Sequence, residues 1–423
     1  MYTTYRDKMT SSNAIEAAWN IGVKLANDAV WDAERCNWIG ASCELFNGRL
    51  TNVTRSLGPD VYSGTSGIAL YLAFLYHSTG EALFKRTALG ALNHALSRPD
   101  DFQPELDLGL YSGRPGVAFA AIIIGRLIGD ESLFDAGLSR LLSYDLNNIA
   151  GKRGLDITTG IAGLIPIFIY IHQLGNTEAL DIAIDLAGTL GKTARRSERG
   201  LSWDTTNAAQ TGVPDLVGFA HGAGGIGWSL LELFNATQRD EYRSMAFEAF
   251  DYEESWFDFE RGNWPDFRGF NPADDGGRPG FTCAWCHGAP GIGFSRLRAF
   301  QITKEQRFLD QSLAALKTTV HGINRDIGGN FSLCHGLSGN SDLLIFAADV
   351  LKNKEYSDIA SRVGEIGIEL YLKADKPWPC GVSGFSSTPN LMLGLAGIGW
   401  FYLRLHEEQV PSVLLMSPTS LPF

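Results

Sequence analysis

A chain of 423 residues with 45% apolar side chains and a formal charge of −12 is globular in composition and unsuited to nucleic acid, because phosphate binding needs a basic surface and the lysines and arginines are scattered. The longest apolar runs, 161–171 and 118–124, fall short of the roughly 20 residues that a membrane span requires. The N-terminus lacks the basic start, apolar core and cleavage site of a secretory signal, so the expectation is a cytoplasmic protein without a membrane span, with a neutral or cationic partner.

No linker-like, charged or Pro-rich seam divides the chain, which is therefore expected to form one domain over 1–423. Residues 1–57 are expected to be an N-terminal helical segment that joins an outer layer. From there a Gly-x-x-Gly motif recurs seven times, beginning at Gly64, Gly113, Gly160, Gly222, Gly288, Gly336 and Gly394. A recurrence at such even spacing marks a repeat architecture, in which each unit buries its apolar face only against its neighbours.

The segment after each motif is helical and apolar on nearly every face, as in 161–171 and 226–233, and a helix of that kind is buried all round. After a short break comes an amphipathic segment, over 81–97, 131–147, 178–196, 240–256, 304–320 and 355–372, which places one face in solvent. Alternating buried and half-exposed helices predict an all-α protein, an α/α toroid of seven inner and seven outer helices with the glycine turns at one mouth. Few β-branched runs bounded by turns exist, which excludes a sheet-based fold. Two stretches break the period: 200–214 is turn-rich, and 257–281, rich in Gly, Pro and aromatics, is expected to be a loop-rich insertion near the mouth.

Six cysteines are too sparse for a disulfide framework, and Cys36, Cys43 and Cys380 read as small buried hydrophobes. Cys283-Ala284-Trp285-Cys286 is a C-x-x-C, but no thioredoxin-like βαβ pattern surrounds it. Cys286-His287-Gly288 and Cys334-His335-Gly336 differ from the rest. Each cysteine stands two residues before the first glycine of its motif, about one repeat apart, so both point to one mouth. Two thiolates and one imidazole form a three-ligand zinc set, one short of a closed tetrahedral site, and either His287 or His335 can complete it.

His221 precedes the fourth turn in the same way and faces the mouth, either as an acid–base group or as a structural histidine at a helix start. Asp156, four residues before Gly160, either supports such chemistry or caps its turn. A toroidal glycoside hydrolase would need two carboxylates in the cavity, with Asp156, Asp215 and Asp266 as candidates, and would leave both Cys-His-Gly motifs idle.

Gly218-Phe219-Ala220-His221-Gly222, Trp285-Cys286-His287-Gly288-Ala289-Pro290-Gly291 and Leu333-Cys334-His335-Gly336 resemble the three most specific motifs of the lanthionine synthetase C-like family, from about Trp38 to the last glycine motif. Trp38-Ile39-Gly40 and the run from Leu57 to Gly67 make the chain most similar to the C-terminal cyclase domain of class II lanthipeptide synthetases. Their dehydratase part is absent from this chain, which fits either a stand-alone cyclase or an excised domain.

The resemblance implies an α/α toroid with one zinc ion per chain on Cys286, Cys334 and His335, and an acid–base His221 supported by Asp156. It implies a cyclase that adds peptide cysteine thiols to dehydroalanine or dehydrobutyrine. A dehydrated lanthipeptide precursor peptide is then the substrate, and a separate dehydratase a candidate partner. The alternative within the family is a zinc protein that binds thiols, or adds glutathione to dehydrated peptides without closing rings. One departure stands out: the arginine that class I cyclases of the family tend to carry four residues before the first ligand cysteine is Thr282 here. The resemblance leaves its place to Arg278 or another group.

Overall fold

The computed structural model describes residues 5–46, 49–102, 107–144, 154–206, 212–271, 277–384 and 387–422. Seven inner helices come after the glycine motifs: α2 (Thr65–Thr79), α4 (Arg114–Ile128), α6 (Leu164–Gln173), α8 (Ala223–Thr237), α10 (Ala289–Thr303), α12 (Leu337–Leu351) and α14 (Leu395–His406). Seven outer helices wrap them: α1 (Tyr5–Asp28), α3 (Ala82–Leu96), α5 (Glu131–Leu142), α7 (Glu178–Thr193), α9 (Asp240–Glu254), α11 (Gln306–Arg325) and α13 (Lys354–Gly367). The architecture is the α/α toroid that the alternation predicts. Each outer helix packs on the inner helix before it in sequence, except α1, which packs on α14 and closes the outer ring.

The two layers differ as their patterns require. On α2 every residue from Thr65 to Leu75 is buried. On α11 burial falls on Phe308, Ser312, Ala315, Leu316, Thr319, Gly322 and Ile323, the three-to-four spacing of one helical face. Each large apolar side chain enclosed between the layers contributes about 1.5–3 kcal/mol.

Expectations for the N-terminal segment need one correction. Only its first half is helical; 30–56 forms two antiparallel hairpins, β1 (Val30–Asp32) with β2 (Arg35–Asn37), and β3 (Ile39–Phe46) with β4 (Arg49–Ser56). The second hairpin pairs in continuous register, from Ile39 opposite Ser56 to Phe46 opposite Arg49, and only its first strand alternates in sequence, with Ile39, Ala41, Cys43 and Leu45 at period two. A third hairpin, β5 (Arg195–Ser197) with β6 (Gly200–Ser202), opens the turn-rich stretch, whose 207–211 lie outside the described residues. The insertion is non-helical as expected, held by isolated bridges between Asp258 and Asn263 and between Asp266 and Gly280. Its 272–276 lie outside the described residues.

Every inner helix is entered through one kind of turn. In six repeats the first helical N–H donates to the carbonyl seven residues earlier, as Thr65 to Gly58 (2.9 Å) and Leu337 to Asn330 (2.8 Å). In the fifth, the Asn263 side chain takes the Ala289 N–H instead, at 2.9 Å. The second glycine of each motif sits on a loop carbonyl: a Cβ there would stand 1.7–2.2 Å from that oxygen in all seven repeats. Close approach, rather than a left-handed backbone, is what this second glycine requires; of the first glycines, Gly288 alone stands at positive φ, +97°.

Neighbouring turns are then stitched by main-chain bonds around the mouth. Tyr62 donates to Tyr111 (2.9 Å), Tyr111 to Thr158 (3.2 Å) and Thr158 to Ala220 (3.3 Å). On the other side Trp285 donates to Cys334 (3.1 Å), Cys334 to Met392 (2.9 Å) and Met392 back to Tyr62 (3.0 Å). Between the fourth and fifth turns the stitch is replaced by a close approach of Gly218, φ +106°, to the Cys286 carbonyl.

The centre of the ring is filled by the chain after α14. Pro411, Val413 and Leu414 carbonyls accept from Trp400 Nε1 (3.0 Å), the Tyr111 hydroxyl (2.6 Å) and Trp285 Nε1 (2.9 Å). Further along, Ser417 donates to Glu232 at 3.2 Å, and Glu232 pairs with Arg298 at 2.7 Å. Buried polar groups on the inner helices and on the turns that enter them thus find partners on this segment, as a low-dielectric interior demands.

Candidate metal centre

Cys286, Cys334 and His335 come together at the mouth, with their candidate donor atoms all within 4.8 Å of one another. A tetrahedral zinc with bonds of about 2.0–2.3 Å holds its ligands about 3.3–3.8 Å apart, so the set stands within about 1 Å of ligand spacing. The repeat explains the convergence: Cys286 and Cys334 occupy the same register of adjacent turns, and the turns are stitched at that register.

The donor chemistry fits a metal cation. Cys286 and Cys334 are 7% and 3% exposed, and their thiols share a hydrogen bond. That bond draws the Cys286 thiol down to about 7 against burial, helped by the Arg268 and His221 charges. The same bond, burial and the Cys286 charge push Cys334 well up, against a hydrogen bond from the Tyr62 hydroxyl at 2.9 Å. Two buried thiols that compete for one proton are satisfied together by a divalent ion.

His335 donates Nε2–H to the Gly381 carbonyl at 2.9 Å, which leaves the Nδ1 lone pair for a ligand. A Cβ at Gly381 would stand 2.8 Å from that Nε2, so glycine is needed for the contact. His287 plays no part in the cluster. It is fully buried, its ring stacks on His221 at 5.6 Å, and its Nδ1 lies 3.7 Å from Asp266. Burial, with the Arg268 charge, drives its pKa to about 3, so it is neutral. Cys283 turns away toward α11, its sulfur on the Thr318 carbonyl at 3.9 Å.

His221 Nδ1 meets Asp156 Oδ2 at 2.7 Å, leaving Nε2 unclaimed by the carboxylate. Burial disfavours the imidazolium, but the Asp156 charge and hydrogen bond, with Cys286, outweigh it and raise the His221 pKa above its usual value. Asp156 caps as well: Oδ1 accepts the Thr159 N–H at 2.6 Å. Capping from this position is a habit of the repeat, since Asp60 takes the Ser63 N–H (2.6 Å) and Asn390 the Leu393 N–H (2.9 Å). What sets Asp156 apart is the second oxygen, which has a histidine opposite. Beneath the His221 turn, the buried Glu253 accepts the Gly218 N–H at 2.6 Å and pairs with Arg296 at 2.8 Å.

Two groups at the site escaped the sequence reading. Tyr62 had a usable signal, because it precedes Gly64 by two residues, the register of both cysteines. Arg268 had none, because it stands in an aperiodic insertion. The guanidinium whose charge acts on the cysteine pair is that of Arg268; Arg278 is exposed, and Thr282 hydrogen-bonds the His287 carbonyl at 2.9 Å. Of the three carboxylates weighed for sugar hydrolysis, Asp215 pairs with Arg195 (2.8 Å), Asp266 with Arg268 (2.8 Å) and Asp156 with His221. Each is committed to a partner.

Fold and site together define an α/α toroid with a three-donor cluster and a histidine–aspartate pair at one mouth. Residues 55–415 match the family described as lanthionine synthetase C-like protein, and the chain belongs to that family. It is 26% identical over 265 residues to the lacticin 481/lactococcin biosynthesis protein LcnDR2 of Lactococcus lactis subsp. lactis, a match over 60% of this chain and 25% of that protein. This chain thus spans about a quarter of the length of that relative. Against glutathione S-transferase LANCL1 of Danio rerio it is 25% identical over 294 residues, 66% of this chain and 67% of the relative. Among solved structures, nisin cyclase shares the fold with a TM-score of 0.65 at 18% identity, over 86% of this chain and 93% of that one. A Bacteroides thetaiotaomicron GH76 α-mannanase shares it at 0.51 and 11% identity, over 94% and 95%. No helix among the described residues is long and apolar enough to cross a membrane.

Proposed function

We propose that the protein is a lanthipeptide cyclase, which adds cysteine thiols of a dehydrated precursor peptide to dehydroalanine or dehydrobutyrine and forms lanthionine or methyllanthionine. The observation that carries this reading is the meeting of Cys286, Cys334 and His335 with the His221–Asp156 pair at one mouth. Cys286, Cys334 and His335 would hold a zinc ion, which would favour a substrate thiol as its thiolate near neutral pH, where a free thiol, pKa about 8.5, is mostly protonated.

The protein's own groups account for the rest. The substrate sulfur attacks Cβ of the alkene, the π electrons pass to the enolate, and Cα takes a proton. His221 is the donor: Asp156 fixes Nδ1 and favours the imidazolium, so that Nε2 carries the proton to be delivered. The proton lost by the thiol returns to solvent, and the sum is an addition. The stacked, neutral His287 limits where the His221 ring can swing.

A second reading draws support from the match to the Danio rerio glutathione S-transferase: the thiol is glutathione. Purified protein and a Cys334→Ala variant are assayed for metal and incubated with a dehydrated, cysteine-containing peptide, with and without glutathione. Cyclisation consumes a peptide thiol at constant mass, whereas glutathione addition raises the mass by one glutathione. One zinc per chain, lost in the variant together with thiol consumption, is the expected result. Metal-free protein that still closes rings overturns the role given to the metal, and zinc-loaded protein that closes none overturns the cyclase reading.

A further inference from the structure

The three donors of the candidate metal centre are held in different ways. Cys286 and Cys334 are buried on turns stitched by main-chain bonds, from the Trp285 N–H to the Cys334 carbonyl at 3.1 Å and from the Cys334 N–H to Met392 at 2.9 Å. His335 is the exposed member, and its ring is aimed by the bond from Nε2 to the Gly381 carbonyl at 2.9 Å. Gly381 lies outside the helices, in the stretch 378–384 that leads toward the seventh turn.

That stretch is held from two sides. On the ring side, Trp378 packs on Phe331 and Tyr402, each with 5.5 Å between ring centres. The Pro379 carbonyl accepts the Phe331 N–H at 3.1 Å, and the Gly381 N–H donates to Leu393 at 2.7 Å. On the other side stands the β3–β4 hairpin. Ala41 of β3 is buried with Cys380 and Val382, the two neighbours of Gly381, in a small apolar cluster apart from the main core. The Ala41 carbonyl also accepts from Thr388 Oγ1 at 3.4 Å. From β4, the Asn52 side-chain amide donates to the Ser383 carbonyl. Gly384, φ +78°, turns the chain so close beneath it that a Cβ there would stand 3.3 Å from the Asn52 nitrogen. The hairpin thus grips the chain on both sides of the carbonyl that His335 uses.

A carbonyl that orients an imidazole does so only if it is itself fixed, because a histidine ligand must present one nitrogen along the metal bond. We propose that the β3–β4 hairpin is a positioning element for the third metal donor: Asn52 and Ala41 fix residues 380–383, whose Gly381 carbonyl turns His335 Nδ1 toward Cys286 and Cys334. This rests on the zinc-site reading proposed above and deepens it. Metal affinity then depends on a hairpin that carries no ligand.

The test uses the full chain loaded with Co²⁺, whose visible absorption reports bound metal and its donor set without turnover. Asn52 is exposed, so its substitution leaves the core intact, and Asn52→Asp keeps the shape while removing the donor. Cobalt affinity is measured by chelator competition in wild type, Asn52→Ala, Asn52→Asp, His335→Ala and the Asn52→Ala, His335→Ala double variant, each checked for fold by circular dichroism. Both Asn52 variants are expected to bind cobalt about tenfold more weakly, with an altered visible band, whereas Asn52→Ala has no further effect once His335 is gone. Equal affinity in wild type and Asn52→Ala overturns the inference alone. So does an equal loss in both backgrounds, which is what a merely structural role gives. Wild-type protein that binds no cobalt, or His335→Ala that binds it as tightly as wild type, overturns the zinc-site reading and this inference with it.

Discussion

Glu253 reaches the candidate site from beneath and offers a quantitative handle on it. The residue is wholly buried on α9, pairs with the equally buried Arg296 at 2.8 Å and accepts the Gly218 N–H at 2.6 Å. Glu253→Gln keeps an acceptor for Gly218 but strips Arg296 of its counter-charge, a loss of about 3–5 kcal/mol for a broken buried pair. Glu254 feels the Arg296 charge and takes up part of the deficit, which places the expectation near about 3 kcal/mol. Glu253→Ala also leaves the Gly218 N–H unpaired, a further cost of about 1–3 kcal/mol. Urea unfolding of the metal-free protein, followed by circular dichroism, measures both. The alanine variant should also slow proton delivery, because Gly218 opens the turn that carries His221. Two variants equally stable, or each within about 1 kcal/mol of wild type, would refute the pinning of the fourth turn by Glu253.

Three other outcomes rest on named contacts. With the His221 pKa raised, its proton-donating form persists to higher pH and kcat/KM falls as pH climbs through that raised value; Asp156→Asn removes the supporting charge, so the falling limb should move to lower pH, and an unmoved limb contradicts the assigned role. Tyr62→Phe deletes the hydroxyl that donates to Cys334 but keeps the ring, and chelator competition should show metal affinity down by about 10–100-fold with the fold intact. Gly339→Ala sets a Cβ 1.7 Å from the Leu333 carbonyl and should cost about 3 kcal/mol, whereas Gly188→Ala on exposed α7, where nothing lies within 4 Å, should gain about 0.5–1 kcal/mol; thermal melts that rank them otherwise contradict the close-approach account of the motif.

Much was legible in the chain because a repeat writes its geometry many times over. Seven glycine motifs and the alternation of all-round and one-faced apolar helices carried the toroid, and the shared register of Cys286 and Cys334 carried their meeting. Physical chemistry at that level is local: periodicity decides which faces are buried, and equal positions in equal units point the same way. The N-terminal half-segment 30–56 went unread as hairpins because short strands at an edge leave a weak pattern. His335 and His287 could not be told apart from their identical neighbours; only the folded chain buries His287 against His221 and hands His335 to Gly381.

The second oxygen of Asp156 was ambiguous for a similar reason, since its capping partner is three residues away and its histidine lies in the next repeat. Arg268 and the segment that fills the ring were wholly a matter of tertiary structure. Neither belongs to the repeat, and both act through contacts between parts of the chain distant in sequence: an insertion tied to the fifth turn, and a tail whose carbonyls satisfy Tyr111, Trp285 and Trp400. Periodic sequence determines a scaffold and the register of its turns. Which charges and hydrogen bonds converge across that scaffold is decided only when the ring closes and low-dielectric burial forces each polar group to find its partner.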